Sequence, residues 1–449
     1  MKTKIEPFKI KTIEPIPMTT MAQREEYLKD AYNNLFTLRS DQVTIDLLTD
    51  SGTTAMSSRQ WAALMDADEA YAGSVSYYKF EDAVKKFTNF KEVIPTHQGR
   101  AAERILFQAL EAEGKFIPNN THFDTTRGNI EYTKGIAVDL LNEAGKNPEI
   151  IADFKGNMDT DKLEAFIKEK GPQNIPIVML TVTNNTGGGQ PVSMQNIKDV
   201  RAICDKYELP LFLDCCRFAE NCYFIKKREK GYENKTILEI AQEMFSYADG
   251  ATMSSKKDGM SNTGGFLATN DSELATKART ILIVTEGFVT YGGLARRDLE
   301  ALAIGFEEVM DENYLSYRIG QVEYLGDQLM KNDVPILMPT GGHGVYIDAK
   351  RFLPNIPPSQ FPAQVVCNEM YRLSGVRTVE IGSLMFGDAS IMELVRLAIP
   401  RRVYTQNHID YVVEAAVETY KNRNKLKGMK IVWAAPFLRH FTAKLDYID

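Results

Sequence analysis

The chain has 449 residues, a length that favours two domains or one large domain with an appendage. Its 44% apolar and 25% charged residues are ordinary for a globular protein, and a net charge of −7 argues against nucleic-acid or membrane partners. No secretory signal follows the charged amino terminus, no apolar run suits a bilayer, and five sparse cysteines read as reduced thiols; a cytoplasmic protein is expected.

In chain order, a Pro- and Lys-punctuated arm comes first, expected to be extended and to lie on another subunit or domain. From about residue 46 to 311, short strands and helices alternate. In Ile94–Leu110 the apolar residues Ala102, Ile105, Leu106, Ala109 and Leu110 keep a 3.6-residue period, which places Gln98-Gly99-Arg100 at a helix amino terminus. Unpaired N–H groups there attract phosphate, glycine admits close backbone approach, and Arg100 adds charge. Met158–Lys170 and Met194–Tyr207 read as capped helices. Ile175–Val182, Leu209–Leu213 and Gly264–Ala268 read as strands of a parallel sheet buried on both faces. A helical pattern runs from beyond Glu307 to Asn332. Pro335–Asp348 predicts strand-turn-strand, and Val376–Ile381 and Leu394–Ile399 further strands of a smaller α+β domain.

Three strand ends carry chemistry. Leu209–Leu213 ends in Asp214, with Arg217 three residues on. Ala248–Gly265 holds Ser254-Ser-Lys-Lys257 before a glycine pair. This combination suits pyridoxal phosphate: an amine for the aldehyde, an anion for the ring nitrogen, and hydroxyl and N–H groups for the phosphate. A carboxylate against the ring nitrogen keeps it protonated, an effect worth roughly 1–3 pKa units. Spacing leaves the choice between Lys256 and Lys257 open, and repulsion should lower the pKa of one of the two amines. The turn Asn184–Pro191 lacks the Gly-Lys-Ser/Thr ending of a nucleotide loop, so Asn185 is expected beside the cofactor instead. Cys215 and Cys216 read as small buried apolar residues without a redox role.

Ile45–Thr53, Asp68–Ser74, Pro95–Arg100, Gly188–Ser193, Arg217–Asn221, Met244–Asp249, Tyr291–Leu294 and Arg439–Thr442 resemble the β-eliminating lyases, from about Glu6 to Tyr447. The resemblance implies an α/β fold of the aspartate-aminotransferase type (pyridoxal phosphate fold type I), with a mainly parallel large domain and a smaller α+β domain. The boundaries expected are an arm at 1–18, a small domain from 19–45 and 312–449, and a large cofactor domain at 46–311. It further implies pyridoxal phosphate, a homotetramer and a monovalent cation, usually potassium. By matched position, Lys257 is the Schiff-base lysine. Phe123 lies over the ring, and Gln98, Gly99, Arg100 and Ser254 hold the phosphate. Asp214 meets the ring nitrogen, with Arg217 and Asn185 also at the cofactor. Arg396, Ser51 and Asn185 take the substrate α-carboxylate. Gly52, Glu69 and Asn262 hold the cation, and Tyr71 is the acid toward the leaving group.

Members of the family release indole or phenol, and three positions separate them. Here they read Asp124, Ile381 and His440, where the phenol-releasing pattern has Thr, Arg and Phe. Asp124 and His440 can serve an indole N–H, while Ile381 offers a phenol oxygen nothing. The expected reaction is tryptophan plus water to indole, pyruvate and ammonia; the alternative is phenol release from tyrosine or elimination from other β-substituted amino acids. Phe386–Glu393 looks shortened, and Cys215-Cys216 and Val289 are unusual for the family. His97 is expected near the phosphate strand, and His122, His343 and His408 have no assigned chemistry.

Overall fold

In a computed structural model, described for residues 4–448, the chain divides into two units. One comprises residues 51–145 and 152–316; the other comprises residues up to 50, 146–151 and 317 onward.

The larger unit is built on a five-stranded sheet. Its labelled elements are β1 (Glu92–Thr96), α1 (Gly99–Ala109), β2 (Phe116–Asn119), α2 (Asp124–Tyr132), β3 (Ile136–Asp139), β4 (Val178–Thr181), α3 (Met194–Lys206), β5 (Leu211–Asp214), α4 (Phe218–Arg228), β6 (Gly250–Ser254), β7 (Gly265–Thr269) and α5 (Ser272–Thr285). The sheet order is β1-β7-β6-β5-β4. β4, β5 and β6 pair in parallel, and β7 runs antiparallel to both β6 and β1. Four strands therefore point one way and one points back. The expectation of a parallel strand at Gly264–Ala268 is corrected here, because an apolar run carries no direction of its own. β4 to β7 are buried along their whole length, as a sheet covered on both faces requires. A second, parallel pair joins β2 to β3. Apolar residues of α1, including Ile105, Leu106 and Phe107, pack with Phe212, Leu267 and Leu282 in one core.

Topology brings the functional strand ends together. Register pairs Thr181 with Asp214, Asp214 with Thr252, Ser254 with Gly265, and Gly265 with Thr96. The carboxyl ends of β1, β4, β5 and β6 thus share one edge with the start of β7, the edge where open α/β sheets bind ligands.

The other unit holds a three-stranded antiparallel sheet of β8 (Gly344–Asp348), β9 (Val379–Ile381) and β10 (Leu394–Ala398), in the order β9-β10-β8. Helix α6 (Pro362–Ser374) is buried on nearly all sides, and α7 (Gln406–Lys421) buries one face against the core. The amino-terminal arm lies on this unit: Lys4 pairs with Glu323 at 2.9 Å, and Phe8 meets Tyr317 edge-on. Pro335–Asp348 yields one full strand, its first half reduced to a single bridge from Ile336 to Ile347.

Candidate active site

α1 starts where β1 delivers the chain to the sheet edge. Gln98 is its N-cap in extended conformation, and no side chain caps the helix. The first N–H groups of α1 therefore point out of the helix with its positive dipole end, the local requirement for an anion site. Glycine is obligatory here for packing: a Cβ on Gly99 would lie 2.5 Å from Ser254 Cβ, and one on Gly265 would lie 2.7 Å from Gly99 N. Gly99, Ser254 and Gly265 consequently meet backbone to backbone, which brings the Ser254 hydroxyl-bearing carbon against the helix start. Arg100 is exposed.

Asp214 is buried at the end of β5, and Cys216 Sγ donates to its Oδ1 at 3.0 Å. The same sulfur accepts the Ser254 N–H at 3.2 Å. Cys216 is therefore more than an apolar filler; it ties Asp214 to Ser254. Burial, with Asp214's charge adding, pushes its thiol above the ordinary range. Cys215 is fully buried, as expected, and all five cysteines are free. Arg217 caps α4 and is buried, with its N–H bonded to Val182 O at 3.3 Å. Asn185, also buried, opens a turn closed by Gly188 N–H to its carbonyl at 3.1 Å.

The two lysines face different neighbours. Lys257's charge is felt by Glu103 and by Cys216, the groups flanking Asp214. Lys256 lies against Gly52, where a Cβ would come within 2.8 Å of its Cε. Burial first, then the charges of Lys257 and Arg100, lower the Lys256 amine. Asn262 Nδ2 donates to Gly52 O at 3.0 Å, so these two members of the expected cation set adjoin, while Glu69 is exposed. Ser51 and Gly52 belong to the same unit.

Phe123 is the N-cap of α2 and Asp124 its first residue. Asp124 is buried, and its Oδ1 accepts the Thr125 N–H at 2.6 Å. Just before them, His122 is clamped by Asp139: both its main-chain N–H and its Nδ1 reach Oδ1, at 2.9 and 2.7 Å. Arg127 Nη2 takes the other carboxylate oxygen at 2.5 Å. Burial alone would raise Asp139, but His122 and Arg127 hold it below its ordinary value. Tyr71 is 66% exposed and stacks on Phe288 at 5.5 Å, with Tyr291 edge-on. A hydrogen bond with Tyr291 raises its phenol.

Buried polar atoms without partners in the chain gather near this edge: Thr183 Oγ1 and Asn184 Nδ2 after β4, Thr252 Oγ1 in the middle of β6 opposite Asp214, and Ser255 Oγ just past β6. Native interiors rarely tolerate such atoms, so their clustering fits a polar, anionic group bound here. The donor set and the carboxylate suit pyridoxal phosphate.

In the other unit, Arg396 is buried on β10 opposite Val379, and its Nη2 donates to Leu48 O at 2.9 Å. Ile381 ends β9 and is 3% exposed. His440 is buried beside Phe36, ring centroids 5.8 Å apart. Its neighbour Arg439 donates to Leu384 O at 2.9 Å and Ser383 O at 2.6 Å, so the segments carrying Ile381 and His440 adjoin.

Sequence reading missed Glu103, His122 and Cys216. Glu103 had a signal: it is an acid on the apolar stripe of α1, four residues from Gly99. His97, expected near the phosphate strand, pairs with Glu286.

Comparison with known proteins completes the description. The model of the β-eliminating lyase family matches residues 46–415. The chain is 57% identical to the tryptophanase of Salinibacter ruber, over 99% of this chain and 96% of that one. It is 52% identical to the tryptophanase of Rhodobacter capsulatus, over 99% of this chain and all of that one. The tyrosine phenol-lyase of Symbiobacterium thermophilum is 48% identical, over 99% of each chain. Among solved structures, Sphingomonas wittichii serine palmitoyltransferase matches with TM-score 0.61 at 12% identity, covering 90% of this chain and 97% of that one. The SepCysS–SepCysE N-terminal domain complex matches with TM-score 0.56 at 16% identity, covering 88% and 99%.

Proposed function

This chain belongs to the β-eliminating lyase family, and from that premise we propose that it cleaves L-tryptophan with water into indole, pyruvate and ammonia. It is a pyridoxal phosphate-dependent carbon–carbon lyase of fold type I. The observation that carries the reading is the meeting of Asp214, Ser254 and the uncapped start of α1 at one sheet edge. When bound, pyridoxal phosphate supplies the electron sink for negative charge at the substrate α-carbon.

Each residue then has a task. The N–H groups of Gly99 and Arg100, with Gln98 and Ser254, hold the phosphate. Asp214 keeps a proton on the ring nitrogen, Arg217 and Asn185 address the ring's oxygen side, and Phe123 covers the ring face. Lys257 would hold the cofactor through its amine, and the same amine would take the substrate α-proton. Arg396 binds the α-carboxylate through a bidentate fork that lysine could not reproduce, with Ser51 and Asn185 contributing. Tyr71 donates the proton that lets the ring leave. Asp124 and His440 accept the indole N–H, and Ile381 keeps the pocket apolar where a phenol oxygen would need a donor.

Potassium at Gly52, Glu69 and Asn262, a homotetramer and a cytoplasmic location complete the proposal. Oxygen donors suit a hard cation. Exposed Met65, Tyr71, Val75, Tyr78 and Val284 on the larger unit support burial between copies. Among the described residues, no helix is long and apolar enough to cross a membrane.

The test is indole release from L-tryptophan, with pyridoxal phosphate and potassium, beside phenol release from L-tyrosine. Indole with little phenol is expected. Predominant phenol would keep the lyase chemistry and overturn the assignment of Asp124, Ile381 and His440.

A further inference from the structure

Glu103 lies one turn into α1 and is 7% exposed. Its carboxyl group accepts from two side chains of α2: Thr126 Oγ1 at 2.6 Å on one oxygen and Asn129 Nδ2 at 3.1 Å on the other. Asn129 also donates to Arg100 O at 3.3 Å. α1 begins with the proposed phosphate residues and α2 follows Phe123 and begins with Asp124. The Glu103 carboxyl is thus the clamp between the two helix starts. The charged groups that face it are Asp214 at the end of β5 and Lys257 beyond β6, one repelling and one attracting; α2 presents only a hydroxyl and an amide.

We propose that Glu103 is a positioning residue for the cofactor: its carboxyl locks the two helix starts together, and its charge acts through Asp214 on the ring nitrogen. The inference rests on the assignment of Asp214 to that nitrogen, and it is independent of which amino acid is cleaved.

Electrostatics gives the proposal a direction. Burial, with the Asp214 charge adding, raises the Glu103 carboxyl to about 7, and the Thr126 hydroxyl and Lys257 oppose the rise. Below that point the group is neutral. Above it, a second negative charge stands behind Asp214 and strengthens the hold on the ring-nitrogen proton.

The experiment reads the ring directly, in full-length holoprotein loaded with pyridoxal phosphate labelled with nitrogen-15 in the ring. In the wild type the nitrogen-15 shift should move with pH, with a midpoint at about 7. Glu103→Gln should remove that step. Thr126→Val, which takes away a donor that favours the ionised form, should move the midpoint to higher pH. An infrared band of a protonated carboxyl, present on the acid side in wild type and absent in Glu103→Gln, should follow the same midpoint.

A step that survives Glu103→Gln, or a midpoint unmoved by Thr126→Val, would overturn the inference. These readouts separate it from the substrate assignment. The pH step without indole formation would reject tryptophan cleavage and leave Glu103 standing; indole formation without the step would do the reverse.

Discussion

Two regions of the molecule bury carboxyl groups close to strand ends and put them to opposite uses. At the sheet edge of the larger unit, Asp214 accepts a thiol hydrogen bond from Cys216, and Lys257's charge is felt by Cys216 and Glu103 beside it. At the end of β9 in the other unit, Glu380 accepts the N–H groups of Leu384 and Met385, at 2.9 and 3.0 Å. Glu393, just before β10, accepts the N–H and hydroxyl of Ser383 at 3.0 and 3.2 Å. A Cβ on Gly382 would lie within 2.7 Å of an oxygen from each. Burial first, and then Glu393's charge, push Glu380 up to about 8; burial raises Glu393 to about 7. One region keeps a carboxylate beside cationic chemistry. The other grips a turn with carboxyls held close to neutrality. In the turn, desolvation outweighs the hydrogen bonds and the nearby cations Arg439 and Lys350, and that balance holds both acids close to neutrality.

The largest test of the contrast is Lys257→Ala. If the sheet edge is the chemical region, this change should cost about 10²–10⁴-fold in kcat, the scale of a positioned general base. Lys256→Ala should keep multiple turnover. Equal losses in both variants would dissolve the distinction drawn from their neighbours.

Arg396→Ala comes next, because β10 carries a charge meant for substrate alongside the turn. The expected loss is about 2–5 kcal/mol of amino-acid binding, the scale for removing one partner of a buried charge pair. It should be read as a raised KM, with cofactor affinity kept. An unchanged KM would confine Arg396 to its bond with Leu48.

A smaller effect sharpens the turn's side of the comparison. Glu380 has a folded pKa above its ordinary 4.5. Its contribution to stability is therefore full below that value and is lost as pH rises through about 8. The wild-type melting temperature should fall across this window, and Glu380→Gln should flatten the fall by a few degrees, at about 2–4 °C per kcal/mol. Melting curves in a pH series decide it; parallel slopes in both proteins would show that Glu380 does not titrate there.

The two regions also differ in how far they could be read from sequence. Gly99, Asp214, Ser254 and the lysine pair stood out through local patterns, a helix start and two strand ends, while the choice of Lys257 over Lys256 came from family resemblance. Ile381 and His440 were legible only through family resemblance. Glu380 and Glu393 gave no signal, since a glutamate beside an apolar strand is ordinarily solvated and only tertiary packing desolvates these two. The reversed direction of β7 escaped for a similar reason: direction is set by the connection after Ser254, not by the apolar residues themselves. Residues 146–151, which belong with the second unit, carry no pattern that separates them from their neighbours.

The smallest expected effect concerns Cys216, which sequence treated as filler. Its Sγ–H bond to Asp214 drains some negative charge from the carboxylate that is proposed to hold the ring-nitrogen proton. A thiol is a weak donor, so the net worth belongs at the low end of about 0.5–1.5 kcal/mol. Removing it in Cys216→Ala should leave more negative charge on the Asp214 carboxylate oxygens and shift the ring-nitrogen titration upward by less than about one pH unit. Cys216→Ser supplies a stronger donor and should shift it the other way. That opposition of sign is the decisive feature, because both replacements also shrink the side chain. If the two variants move the titration in the same direction, Cys216 acts through volume alone and its bond to Asp214 has no electrostatic share in holding the ring-nitrogen proton.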